Sequence, residues 1–435
     1  MEFFGRNREL AILKQIEQQS LQQSVMTVVM GRRRTGKTWL LRQAYGDNCL
    51  YLMARQENEC TMCSTFQQQI QDKLGITVYG TMPTMREVFE VLLKHSIDRP
   101  CTVVIDEFQE FYYVRKSIYA DLQELWDRYA PQAHLNLVVC GSIFTLMTRL
   151  MRSPDECLYG RASRFITLQP FTTDELKEIL HKHNSRCSAD DLLCLFAMTG
   201  GVAKYVADMM DTGANSREKM WQAFADCTMP FVREGKELMN MEFRRDSGNY
   251  YSLLQLLASG VTQSSRLADR MQTTVTAYLS LLENTYSLVR KRRPMFAADN
   301  SRVVRYEIAD NFLLFWFRFI FPHEQLVEMQ RSDLLYRLIA DGYSQFSGLA
   351  LERYFRQRTT EQGNYHRVGN YWDASGENEI DLIALDEQAH KALVAEVKVN
   401  RKKISLNELQ YKARKIEKYL SRYQVQYLAL SLDDM

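Results

Sequence analysis

No run of eighteen or more apolar residues occurs in the 435-residue sequence, which argues against a membrane-spanning helix. The start MEFFGRNREL lacks the basic-then-apolar design of a secretory leader, so a cytoplasmic protein is expected. An excess of charge of one sign is also missing. The 55 Lys and Arg stand against 53 Asp and Glu, and a net charge of +2 excludes a globally basic nucleic-acid binder while leaving local patches open. Clustered metal-binding cysteine is absent too: the nine cysteines are scattered. The close pair Cys60 and Cys63 has no second pair or histidine cluster nearby, against the roughly four ligands of a closed zinc site. Internal repeats, low-complexity stretches and linkers rich in Pro, Gly or Ser are lacking. What remains is a globular composition, 46% hydrophobic and 25% charged, on a chain longer than one core usually serves, which sets an expectation of roughly two to four domains.

Five short β-type runs recur in the first part of the chain, at 25–30, 49–53, 102–105, 135–140 and 165–168, with helical segments between them. Alternation of this kind predicts a parallel, doubly wound sheet covered on both faces, an α/β fold whose ligands bind at the carboxyl ends of the strands. From Thr172 to about Lys236 helical periodicity replaces it, opened by cap chemistry at Thr172, Thr173, Asp174 and Glu175, and a helical lid is expected. Helices at 250–259, 264–269 and 273–282, the basic stretch 290–293, a turn at Pro294 and a strand at 303–308 resemble a winged helix with a charged hairpin tip. The aromatic run DNFLLFWFRFIFP at 310–322 predicts a buried interdomain helix. Beyond residue 344 the pattern gives a helix at 349–357, strands at 365–373, 379–385 and 391–399, and a long basic helix at 406–419.

Gly31-Arg32-Arg33-Arg34-Thr35-Gly36-Lys37-Thr38 matches G-x-x-x-x-G-K-[ST] between a strand and a helix. Gly31 and Gly36 let the backbone turn its N–H groups toward phosphate oxygens at a helix N-terminus. Lys37 would reach the β- and γ-phosphates and Thr38 would ligate Mg²⁺; Arg34, Thr35 and Trp39 belong to the same nucleotide-binding segment. The apolar run 103–105 ends in Asp106-Glu107. Asp106 would hold the metal through water, and Glu107 would polarise the attacking water. Ser142, after the 135–140 strand, would bond the γ-phosphate or cap the strand end. Arg161 and Arg164 would act in trans as an arginine finger in an oligomer, or pair with surface acids.

Together with Phe4-Gly5-Arg6-Asn7-Arg8-Glu9-Leu10, Ile105-Asp106-Glu107-Phe108-Gln109 and Gly200-Gly201-Val202-Ala203-Lys204-Tyr205, these motifs resemble the archaeal-type ATPases of the AAA+/STAND division of P-loop proteins. The resemblance covers essentially the whole chain. It implies a P-loop ATPase core over 1–171, a helical lid over 172–240, a winged helix over 241–325 and, over 326–435, a tail of the DUF234 type similar to PD-(D/E)XK nucleases. It further implies ATP and Mg²⁺ as ligands, Phe4 and Arg6 flanking the adenine, and Lys204 near the sensor-two position. The family usually has proline where Ala203 stands and arginine at sensor two.

In the tail, Glu379-Ile380-Asp381 and Glu396-Val397-Lys398 resemble the nuclease core. Glu396 and Lys398, two apart on a strand, share a face. Asp381 and Glu396 would hold Mg²⁺ beside Lys398, with Glu352 and Gln410 in accessory positions; alternating charge on a half-exposed strand or a Glu–Lys pair gives the same pattern without catalysis. Two classes of function follow. One is an ATP-driven switch whose tail binds or cuts DNA. The other is a signalling or assembly ATPase whose tail is an inactive protein-interaction module, with a homo-oligomer or a partner protein as its target.

Overall fold

The structure, a computed structural model, describes residues 4–142, 144–243, 247–298 and 300–435. The chain divides into two compact units, 4–170 and, among the described residues, 171–435.

In the first unit β1 (Val25–Met30), β2 (Cys49–Met53), β3 (Cys101–Asp106), β4 (Leu135–Gly141) and β5 (Arg164–Thr167) form one sheet in the order β2-β3-β4-β1-β5. Every pairing in it is parallel. All residues of β1 and β4 are buried, as expected of strands with helices on both faces. The crossovers include Lys37–Tyr45, Glu59–Leu74, Met85–Asp98 and Ile118–Tyr129. A capping box of Thr84 and Glu87 opens the third of these, and its apolar face, with Val88, Phe89, Leu92 and Leu93, is buried in the sheet core. Because β4 lies between β3 and β1, the turns that leave β1, β3 and β4 open at adjacent strand ends. Side chains from three separated stretches of sequence therefore meet there.

The second unit starts with helices Thr173–His183, Ala189–Thr199, Ala203–Asp211, Arg217–Ala225 and Phe231–Glu242. The predicted cap at Thr172 is a capping box with Glu175. Three further helices, Ser247–Ala258, Ser264–Met271 and Thr276–Asn284, precede an antiparallel hairpin of β6 (Val289–Arg292) and β7 (Arg305–Ile308). The aromatic run is a helix at Asn311–Phe315, capped by the Asp310 carboxylate, that widens into a π turn at Trp316–Ile320. It is buried as expected: Phe312, Phe315, Trp316 and Ile320 are fully enclosed. Trp316 donates its indole N–H to the Val232 carbonyl at 2.9 Å.

A 30-residue helix, Ser332–Glu361, contains the predicted 349–357 segment. Gly342 within it admits the Phe319 ring, whose Cε1 lies 2.5 Å from where a Cβ would stand. The last sheet has β8 (Arg367–Trp372), β9 (Glu379–Asp386), β10 (Lys391–Val397) and β11 (Gln424–Leu430) in the order β11-β10-β9-β8. The β10–β11 pair is parallel and the other two are antiparallel. β11 was not anticipated from the sequence. The basic helix is shorter than predicted, running Leu406–Ala413, tightening to a 3₁₀ turn at Arg414–Ile416 and ending at Glu417–Leu420. Among the described residues no helix is long and apolar enough to cross a membrane.

The hairpin corrects one expectation. Arg290, Lys291 and Arg292 lie inside β6, paired with β7, and do not form a charged tip. Beyond them the loop turns inward. Met295 is buried in the tail core with Ile380, Ile383, Val394 and Ile416, its N–H donating to the Asn370 carbonyl at 2.8 Å. The Phe296 ring stacks on Tyr419 with centroids 4.7 Å apart. The apolar Pro294-Met295-Phe296 segment explains the outcome, since exposing two large apolar side chains at a tip would forgo their burial.

Candidate functional site

The phosphate loop is built by its glycines and by Thr35. Gly36 has φ 94° and starts the helix Lys37–Tyr45. A Cβ at Gly31 would lie 2.8 Å from the Leu168 carbonyl. Thr35 donates its hydroxyl to the Arg32 carbonyl at 2.8 Å, and Arg34 takes a left-handed conformation at φ 71°. Lys37 is buried and donates to the carbonyls of Gly31 and Arg32 at 2.8 and 3.0 Å. Burial pushes its ammonium below the ordinary lysine value, against the pull of Glu107 and Asp106. Trp39, on the same helix, is exposed.

Asp106 ends β3 and is gripped from both neighbouring strands. Its Oδ2 accepts from the Tyr51 hydroxyl of β2 and from Thr38 Oγ1 at 3.3 Å. Its Oδ1 accepts from the Cys140 thiol of β4 at 2.7 Å and from the Glu107 N–H at 2.8 Å. Burial, reinforced by Asp106, pushes the Tyr51 hydroxyl and the Cys140 thiol above their ordinary values. Both therefore stay protonated donors. A hydroxyl and a carboxylate facing each other beside a phosphate loop form a hard-oxygen pair suited to Mg²⁺ with water completing its shell.

Glu107 follows in a left-handed conformation, φ 50° and ψ 40°, a strain of the kind that recurs at functional sites. Its Oε2 accepts from Ser142 Oγ at 2.7 Å and from the Gln109 amide. Gln109 is fully buried, and among the described residues its Oε1 has no hydrogen-bond partner. Gly141 is small because a Cβ there would run into that amide and stand 2.6 Å from Met147 Cγ. Lys37, Thr38, Asp106, Glu107 and Ser142 are thus brought together.

Tyr51, Cys140 and Gln109 were missed by sequence reasoning. Only Cys140 and Gln109 left a trace there, as the last strand residue before Gly141 and the second residue after Glu107.

The other predicted residues divide. Arg6 is buried, takes φ 62° as the cap of the first helix, and donates to the Gln169 carbonyl at 2.5 Å; Phe4 is half-buried. Arg161 makes two bonds to Asp127, at 2.9 and 3.2 Å. Arg164 reaches the Ser163 carbonyl. Lys204 pairs with Asp208 one helical turn on, at 2.7 Å.

In the tail, Lys398 Nζ lies 3.2 Å from Asp381 and 3.1 Å from Glu396. Lys412 adds a second cation 3.4 Å from Glu396. Asp381 also accepts the Val397 N–H at 2.8 Å. Glu352 lies 3.5 Å from Arg356, and burial together with the Asp381 charge pushes its carboxyl up to about 7. Of the five predicted residues, Asp381, Glu396, Lys398 and Glu352 are brought together, with Lys398 and Lys412 standing among the acids, while Gln410 is exposed. Among the described residues no group of three or more His, Cys, Asp or Glu is arranged to hold a metal.

Comparison with known proteins matches residues 3–209 to a family described as an ATPase domain predominantly from Archaea. Residues 316–423 match a family described as archaeal and bacterial proteins of unknown function. The chain is 25% identical over 415 residues to the uncharacterized protein MJECL04 of Methanocaldococcus jannaschii, covering 91% of this chain and 87% of that one. Among solved structures, the Walker-type ATPase PABY2304 of Pyrococcus abyssi aligns with a TM-score of 0.53 at 18% identity, over 73% of this chain and 96% of that chain. At that identity the likeness bears on the fold.

Proposed function

Residues 3–209 being an archaeal-type ATPase domain, we propose that the protein is an ATP-hydrolysing switch in which nucleotide state controls a nucleic-acid module formed by the winged-helix-like and nuclease-like parts of the second unit. The convergence of Lys37, Thr38, Asp106, Glu107 and Ser142 at adjacent strand ends carries this reading. Phosphate oxygens would draw Lys37 from the loop carbonyls it now bonds. Thr38 and Asp106 would hold Mg²⁺, which when bound neutralises charge on the β- and γ-phosphates. Glu107 would accept a proton from, and aim, the attacking water, while Ser142 contacts the γ-phosphate. Phe4 and Arg6 would border the adenine and Lys204 the sensor-two position. Arg164, held by a single backbone carbonyl, is the better finger candidate, because Arg161 would first have to leave Asp127.

In the tail, Asp381 and Glu396, with Glu352 beside them, would hold Mg²⁺ only once Lys398, which now bridges the two acids, is displaced to face a phosphate. The alternative of an assembly ATPase differs in its target. Glu107→Gln is expected to bind ATP normally and to hydrolyse it about 10²- to 10⁴-fold more slowly, with DNA affinity differing between the ATP-held and ADP forms. A nuclease assay run beside these measurements tests whether Asp381→Ala abolishes cleavage. Unchanged hydrolysis would overturn the catalytic assignment. DNA affinity indifferent to nucleotide would overturn the coupling and leave the assembly reading.

A further inference from the structure

The charge balance of the chain conceals one local imbalance. Between residues 401 and 422 there are eight Lys and Arg against two Glu, a local +6 in a protein of net +2. Surface cations elsewhere in the chain are commonly matched: Arg86, Arg128, Arg149 and Arg161 each meet a carboxylate within 3 Å. In the tail segment the ion pairs are Arg401 with Asp434, and Lys412 with Glu396 and Glu408. Lys402, Lys403, Arg414, Lys415 and Lys418 are exposed, and among the described residues no carboxylate lies within 4 Å of them.

Aromatic side chains stand among these cations. Leu409, Ala413, Ile416 and Leu420 are the buried face of the segment, and Tyr411, Arg414, Lys415, Lys418 and Tyr419 follow at i, i+3, i+4, i+7 and i+8 on its open side. Tyr411 is 64% exposed, with the Arg414 guanidinium 6.0 Å from its centroid. Tyr419, 39% exposed, already has one face on Phe296 and Lys418 4.8 Å from its centroid, so Tyr411 is the ring left for a ligand. A solvated helix has no need of exposed tyrosine rings, whereas rings interleaved with cations offer stacking faces for unpaired bases and charge for the backbone. The segment also turns inward at Lys412, which reaches Glu396 at 3.4 Å, so a strand lying along it would run beside the Asp381–Glu396–Lys398 cluster.

We infer that the exposed face of residues 402–419 is a docking surface for single-stranded nucleic acid, with Tyr411 stacking on a base and Lys415 and Lys418 contacting phosphates. The inference rests on the nucleic-acid reading of the tail given above and adds the strand class and the contacting residues. Binding at this surface requires neither nucleotide nor metal.

The test uses the full chain in EDTA without ATP. Fluorescence anisotropy is recorded with an oligothymidylate of about twenty nucleotides, longer than the roughly 4–16 such surfaces cover, with a duplex of equal length, and with vesicles of anionic lipid. Expected are preference for the single strand and, in Lys415→Ala/Lys418→Ala, a log–log salt slope shallower by about 1.4. Tyr411→Ala is expected to weaken single-strand binding about fivefold or more and to leave duplex binding unchanged. Circular dichroism establishes that each variant is folded, and Tyr411→Phe should restore binding.

Wild-type binding that survives Tyr411→Ala and the double variant unchanged overturns this surface while leaving the nucleic-acid reading intact. Binding that needs these residues but ignores ATP upholds the surface and removes the coupling. Equal affinity for duplex, or capture by vesicles without oligonucleotide binding, overturns the single-strand assignment.

Discussion

Asp106 accepts four hydrogen bonds, from Tyr51, Thr38, Cys140 and the Glu107 N–H. Its carboxylate plane is therefore fixed before any cation arrives, and a fixed carboxylate loses less freedom on ligation. Tyr51 comes from the edge strand β2 and is half-buried, so its hydroxyl can be removed with little change in packing. Tyr51→Phe is expected to raise the Mg²⁺ concentration for half-maximal ATP hydrolysis by about tenfold and to leave metal-free nucleotide binding unchanged, as measured by calorimetry in EDTA. A fall in metal-free binding would assign Tyr51 to the loop instead. Glu107 differs in kind. Its backbone is left-handed, and its two donors, Ser142 and Gln109, hold the side chain against that strain.

At the scale of elements, the β6–β7 hairpin is fastened to the tail sheet. Arg292 of β6 donates to Asn370 at 2.8 Å, and Arg305 of β7 meets Glu379 at 2.6 Å. Within the hairpin, Glu307 receives Arg292 at 3.3 Å and Arg353 of the long helix at 3.5 Å. Burial alone would push its carboxyl up, but Arg353, Arg292 and Arg356 outweigh burial and hold it below the usual carboxylate value. The ionised form is thus favoured by folding. This contribution is present above the unfolded value of about 4.3 and is lost as pH falls through the depressed folded value. Glu307→Gln, which strands buried arginines, is expected to cost about 3–5 kcal/mol at neutral pH. The loss should shrink on acidification below about pH 4, as read by urea unfolding at both pH values. A pH-independent difference would mean the carboxylate acts through shape alone.

At the scale of the molecule, two compact units on one chain make two unfolding transitions the expectation. Nucleotide with Mg²⁺ should raise the transition of the 4–170 unit by about 2.7 kcal/mol at a hundredfold excess over Kd. Glu307→Gln should lower the other. Differential scanning calorimetry checks both shifts, and one transition that responds to both would show a single cooperative unit.

The sequence by itself determined the phosphate loop, the Asp106-Glu107 pair and the parallel sheet. Each is written in contiguous residues whose chemistry follows from local backbone geometry: Gly36 at positive φ, an apolar run ending in acids, strands alternating with helices. Tertiary structure decided what depends on neighbours distant in sequence. Tyr51 and Cys140 reach Asp106 only because β2 and β4 flank β3. The basic run 290–293 reads as a tip until Arg290, Lys291 and Arg292 are seen paired within β6 and Met295 buried among tail residues such as Ile380 and Ile416. Residues 424–430 become β11 by pairing in parallel with β10 across the basic segment. The cations of that segment count as a surface only once folding has given carboxylate partners to Arg401 and Lys412 and, among the described residues, none to the other six. Pairing and burial are properties of the folded chain, fixed by contacts whose sequence separation no local pattern encodes.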